Sequence, residues 1–168
     1  LRQTVTDFNR AFHDEYFSFQ PGTFLVVCVH VSYRNKAEID RGIIAKVLEN
    51  VSLRIQELFK NDVFDCEYVL NDCNSYFLMN YSETVHLSYR QRRDCLQNLL
   101  RDVSTQYQNL RITFAMGDPC HSVGEIWRAV ESAEYANTLR LYAGTEKVVE
   151  HCKLRERLPD TPECKFTA

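Results

Sequence analysis

No apolar run in this chain of 168 residues approaches the roughly 18 residues of a membrane-spanning helix, and the first apolar stretches lack the basic-then-apolar layout of a secretory signal. Low-complexity tracts and internal repeats are absent. Charge of one sign is not in excess: 20 Lys and Arg stand against 23 Asp and Glu, a net charge of −3 with the signs interspersed. A nucleic-acid surface needs a basic stripe or patch, so no direct nucleic-acid contact is expected. The seven cysteines (Cys28, Cys66, Cys73, Cys95, Cys120, Cys152 and Cys164) contain no C-x-x-C pair. Their odd number fits reduced thiols in a cytoplasmic protein. Cys120-His121 and His151-Cys152 are nominal metal ligands, but zinc sites gather theirs at closer spacings, and no metal or cofactor is expected. The motifs G-x-x-x-x-G-K-[ST], G-x-S-x-G and H-E-x-x-H are missing, so no catalytic residue is assigned and the chain is read as no enzyme.

What remains is globular: hydrophobic residues make up 45% and charged residues 26%, in a length suited to one domain. The chain opens on Leu1 and Arg2 and is read as a segment of something longer. Residues 1–22 are expected to form a leading or linker helix and turn, residues 23–151 a domain, and residues 152–168 a tail or linker toward a C-terminal domain.

The stretch Cys66 to Tyr81 reads as a β-hairpin, with strand-forming runs at Cys66–Leu70 and Tyr76–Tyr81 around the turn-rich cluster Asn71, Asp72, Cys73, Asn74 and Ser75. Tyr76, Phe77, Leu78 and Met79 are apolar on both faces of the pleat, as in a strand inside a sheet. Upstream, Val5, Phe8, Phe12 and Tyr16 stand at helical spacing and Pro21-Gly22 marks a turn. Phe24 to Val31 is a second doubly apolar strand. From Asp40 to Lys60 a helix carries Ile44, Leu48, Val51, Ile55 and Leu58 in one stripe, and a later helix carries Leu96, Leu99, Leu100, Val103 and Tyr107. Arg90, Arg92 and Arg93 are taken as that helix's solvated start. A strand follows at Arg111 to Met116, stopped by Gly117-Asp118-Pro119. Ser122 and Glu125 suggest a capping box for a third helix that turns Ile126, Val130, Ala133 and Ala136 inward and ends near Gly144; Trp127 is assigned to packing. Val148-Val149 suits an edge strand. The order β, α, β, β, α, β, with an added helix and short strand, is the α+β, ferredoxin-like split βαβ arrangement, in which the first and third strands are central.

Three stretches carry a resemblance. Ile112-Thr113-Phe114-Ala115-Met116-Gly117 is similar to the "vTvSiG" strand of GGDEF-type domains, Ala133-Glu134-Tyr135-Ala136 with a later Gly144 is similar to that family's A-[DE]-x-A and glycine, and the hairpin lies in the signature position. Residues Thr23 to Glu150 thus resemble a GGDEF-like domain, the fold shared with class III nucleotide cyclases. Phe19-Gln20-Pro21-Gly22-Thr23-Phe24 is similar to the "F-x-P-G-x-F" motif found before a degenerate GGDEF-like domain in bacterial two-component response regulators that end in an AraC-type helix-turn-helix. The resemblance implies a receiver and a helix-turn-helix as partner domains of a parent chain. A homodimer is a further expected state, for which an exposed edge strand or the leading helix could serve.

An active enzyme of that family needs carboxylates at the end of the first strand and in the hairpin to hold two metal ions. Here the first strand ends His30-Val31-Ser32-Tyr33, and Asp72 is the sole acid among residues 71–75. The paired glycines are also missing. Three functions are therefore expected in descending order: a non-catalytic relay in a DNA-binding transcription regulator, a pseudo-enzyme that binds a nucleotide or small metabolite between the hairpin and the first helix, and a surviving cyclase. His30 is expected as a hydrogen-bonded strand histidine, not a ligand.

Overall fold

The computed structural model describes residues 19–35, 40–143 and 147–155. The leading helix expected at Val5–Tyr16, the cap at Gly144 and residues 156–168 lie outside them. In chain order the elements are β1 (Thr23–Tyr33), α1 (Arg41–Phe59), β2 (Asp65–Asn71), β3 (Asn74–Tyr81), α2 (Tyr89–Gln106), β4 (Leu110–Met116), a 3₁₀ turn (Val123–Glu125), α3 (Ile126–Thr138), α4 (Arg140–Ala143), β5 (Val148–Glu150) and α5 (His151–Arg155). They build a five-stranded sheet in the order β2-β3-β1-β4-β5. All pairs are antiparallel except β4 with β5. This is the expected ferredoxin-like arrangement, with β1 and β3 inside the sheet.

β1 is apolar from Phe24 to Val29 because both its faces are covered there. Leu25, Val27, Val29 and Val31 pack with Phe77, Met79, Ile112 and Phe114 under α1 and α2. Phe24, Val26 and Cys28 face the other way, against Ala115 and the small residues Ala129, Ala133 and Ala136 of α3. Small side chains let α3 sit low on the sheet, and Gly117 shows how low: a Cβ there would stand 2.3 Å from the Ala129 carbonyl oxygen and 2.7 Å from Ser132 Oγ.

Asp40 caps α1 by accepting from the Gly42 and Ile43 amides, and a capping box of Ser88 and Gln91 opens α2. The box expected at Ser122 and Glu125 does not form. Ser122 Oγ donates instead to the Glu125 carboxylate at 3.1 Å, a 3₁₀ turn intervenes, and α3 starts at Ile126. On α1 the stripe ends on buried Phe59, four residues past Ile55, while Leu58 is 43% exposed. Trp127 is 56% exposed, with Arg128 against its ring, and so is not a packing residue of the core.

The largest departure is Arg92, which is fully buried although the sequence suggests a solvated helix start. It lies four residues before Leu96 and so shares the inward stripe of α2. Its guanidinium stands 3.9 Å from the centroid of the Tyr81 ring and pairs with Asp62 Oδ2 at 2.9 Å. The other Asp62 oxygen accepts from the Leu87 amide at 2.7 Å, so this one pair ties the α1–β2 connection to the β3–α2 connection. Burial lowers the Arg92 pKa, opposed by the Asp62 charge, and pushes Tyr81 up to about 12.

Truncating one partner of a buried pair strands the other. Arg92→Ala is therefore expected to lower unfolding free energy by about 3–5 kcal/mol in urea titrations, and Arg92→Met combined with Asp62→Asn to recover most of it; a loss within the roughly 1 kcal/mol of a surface pair contradicts this placement. Gly117→Ala is expected to cost about 1–3 kcal/mol through overpacking, measured in the same way.

Candidate functional site

The hairpin is tighter than the sequence suggests. Asn71 pairs with Asn74, leaving Asp72 and Cys73 as a two-residue loop. Asp72 has φ 49°, a left-handed conformation that aspartate tolerates better than most residues. The loop is anchored to β1, since the Val31 amide donates to the Cys73 carbonyl at 2.9 Å. The five candidate residues therefore do share one place, at the end of β1. Asp72 and Cys73 line a cleft of about 360 Å³ with Leu70 from β2 and Arg41, Ile44, Ala45 and Leu48 from α1. This is the gap between hairpin and first helix, with one cation, one carboxylate and one thiol on otherwise apolar walls.

Asn74 and Ser75 are engaged in the protein itself. His30 Nδ1 donates to Asn74 Oδ1 at 2.8 Å, which makes His30 the hydrogen-bonded strand histidine expected. Ser75 is buried and shares a 3.0 Å hydrogen bond with Ser52 of α1. A pair of divalent cations needs several ionised oxygens; a neutral imidazole bound to an amide, a buried hydroxyl and a single carboxylate do not fit that demand. Among the described residues no three His, Cys, Asp or Glu side chains gather into a cation site. Behind the hairpin, Tyr76 Oη donates to Glu134 of α3 at 3.0 Å, and the Cys28 thiol is pushed up to about 12, first by burial and then by the Glu134 charge.

A second constellation escapes the sequence because its members are distant in the chain. The loop after β4 is bonded to both ends of the described domain. Phe24 and Cys120 exchange main-chain hydrogen bonds at 2.7 and 2.9 Å, and Phe19 packs edge-on against Phe24. Thr23 Oγ1 lies 3.4 Å from His121 Nδ1. Toward the other end, Asp118 Oδ2 lies 2.7 Å from His151 Nδ1 in α5, and the Asp118 amide donates to Ser132 Oγ at 2.8 Å. His151 also meets the Tyr135 ring edge-on. The two Cys-His pairs considered as metal ligands are thus used for holding these contacts, with Cys152 Sγ 3.8 Å from Tyr89 Oη. The one legible signal was Gly117-Asp118-Pro119, which marks a turn but not its partners.

No family model matches this chain, and no curated protein matches it. Among solved structures, the fold is similar to the active GGEEF domain of a diguanylate cyclase from Vibrio cholerae, with a TM-score of 0.50 and 12% identity over 86% of this chain and 88% of that one. The fold is therefore GGDEF-like, as the three sequence stretches suggested. The likeness corrects the expectation that the chain is no enzyme: the similar domain is an active cyclase, so a fold of this kind gives no ground for that expectation. Among the described residues no helix is long and apolar enough to cross a membrane.

Burial lowers the His30 pKa below its ordinary 6.5. Above that value the imidazole is neutral in folded and unfolded chains alike. As pH falls, the unfolded chain binds the proton first, so stability declines until pH passes the depressed folded value. His30→Gln is expected to flatten the fall in melting temperature between about pH 7.5 and about pH 5; identical slopes for the two proteins rule out this role.

Proposed function

We propose that this GGDEF-like chain is a signal-relay domain of a DNA-binding two-component response regulator, lying between a receiver and an AraC-type helix-turn-helix. The observation that carries the reading is the shared loop: residues 19–24 on the incoming side and α5 on the outgoing side both bond residues 118–121. A displacement of the incoming segment has to move Cys120 or break its two main-chain hydrogen bonds, and Asp118, two residues away, holds α5. The Phe19-Gln20-Pro21-Gly22-Thr23-Phe24 motif supports the assignment. Its glycine sits where a Cβ would stand 2.4 Å from the Tyr81 carbonyl oxygen, and the Gln20 amide donates to Asn80 Oδ1 at 2.7 Å, so the segment is seated on the sheet. Allosteric couplings run to about 5–150-fold in affinity. In the parent regulator, His151→Gln is expected to remove at least about fivefold of the phosphorylation-dependent gain in operator affinity, read by fluorescence anisotropy. A parent chain with neither a receiver nor a helix-turn-helix beside this segment defeats the reading.

The cleft and the active cyclase domain of like fold favour a second reading, a nucleotide-binding or nucleotide-cyclising domain. Arg41 offers a charge for a phosphate, and Leu48, Ala45 and Leu70 offer apolar contact for a base. Titration with guanine and adenine nucleotides, with and without magnesium, is expected to give saturable heats that Arg41→Ala weakens by about tenfold or more and to slow alkylation of Cys73. Flat titrations and the absence of cyclic or dinucleotide product exclude it.

A further inference from the structure

β2 is the outer strand of the sheet, and its outer edge is open along part of its length. Gln56 Nε2 of α1 donates to the Cys66 carbonyl at 3.3 Å, so that carbonyl points away from β3. Backbone groups in an antiparallel strand turn inward and outward at alternate residues. Tyr68 and Leu70 therefore also present their N–H and C=O groups outward, consistent with the Asn71–Asn74 pair that closes the two-residue loop on the inner side. Among the described residues no strand pairs with this edge. Lysine and proline, which commonly protect such edges, are absent from Asp65–Asn71. Val69 is 66% exposed and Leu70 44%.

We propose that this edge pairs antiparallel with β2 of a second copy of the chain, with Val69 on the two-fold axis, to give one continuous sheet. A symmetric strand pair must place outward-facing residues opposite outward-facing residues, which leaves two central registers. Centred on Tyr68, the pairing sets Cys66 against Leu70 and needs the Cys66 carbonyl that Gln56 already occupies; it also puts Glu67 against Val69. Centred on Val69, it sets Tyr68 against Leu70 twice, making four main-chain hydrogen bonds with groups that are open. On the sheet face away from α1 it then places Val69 against Val69 and Glu67 against Asn71, a carboxylate opposite an amide that can donate to it. No two carboxylates are opposed, and like charges directly opposite would be destabilising. Tyr76 and Leu78 of β3, the neighbours of Val69 and Glu67 in the sheet, extend the apolar strip on both sides of the seam. The partner is thus the chain itself, chosen by the register, and the inference does not depend on the function proposed above.

Sedimentation and light scattering of the 168-residue chain are expected to show a concentration-dependent dimer, with slowed amide exchange at Tyr68 and Leu70. Val69→Lys sets two ammonium groups against each other on the axis and is expected to weaken association at least about tenfold. Asn71→Asp opposes Glu67 and is expected to weaken it too, while Glu67→Lys added to Asn71→Asp restores it. These side chains are exposed, so the monomer fold is kept. A chain that stays monomeric up to about 100 μM, a dimer indifferent to Val69→Lys, or a double variant no better than Asn71→Asp alone each overturns the proposal; an extended peptide from another protein as the true occupant would leave the chain monomeric.

Discussion

The approach of α3 to the end of β4 is the constraint on which the rest of this domain depends. At Gly117 there is room for no side chain at all: the Ala129 carbonyl and Ser132 hydroxyl occupy the space where a Cβ would stand. Ala129, Ala133 and Ala136 keep that distance along the helix. The consequence is local and specific. The chain leaving β4 is turned beneath α3, where Ser132 receives the Asp118 amide, Cys120 reaches Phe24 and Asp118 reaches His151. A bulkier contact would lift the helix and separate the two ends of the domain from the loop they share. The sequence pattern similar to the GGDEF family, a glycine after the strand and alanines three apart on the helix, is a packing device first.

At the opposite side of the sheet the hairpin shows what the same scaffold holds when its acids are few. Asp72 stands at the tip, and Ser75 and Asn74 are satisfied by Ser52 and His30. The cleft beside them is walled by Arg41, Ile44, Ala45 and Leu48 of α1, by Leu70 of β2 and by the tip residues Asp72 and Cys73. A GGDEF-like fold and a donor set suited to two cations are therefore separable here. The likeness to an active cyclase domain concerns the first of these.

The strands were legible because their burial is written in composition. β1 and β3 are apolar on both faces only if both faces are covered, and that alone orders four of the strands. Helix stripes were legible to within a residue or two, and failed where a large residue overrode spacing, as Phe59 does beside Leu58. Arg92 was hidden because a cation among cations reads as solvent-facing, although its four-residue step to Leu96 places it inward; the missing information was Asp62, thirty residues earlier, which makes the burial affordable. The hairpin residues were found as a group because they are contiguous. The loop that joins Thr23, Cys120, Asp118 and His151 was not, because no periodicity links positions so far apart in the chain.

The two ends of the described domain are joined through residues 118–121. A double-mutant cycle between Thr23→Val and His151→Gln, followed by chemical unfolding, tests it directly. Residues without shared partners add within about 0.3–0.5 kcal/mol. Joined ends predict an interaction energy above that limit, about 0.5–3 kcal/mol; strict additivity of the two substitutions would contradict it.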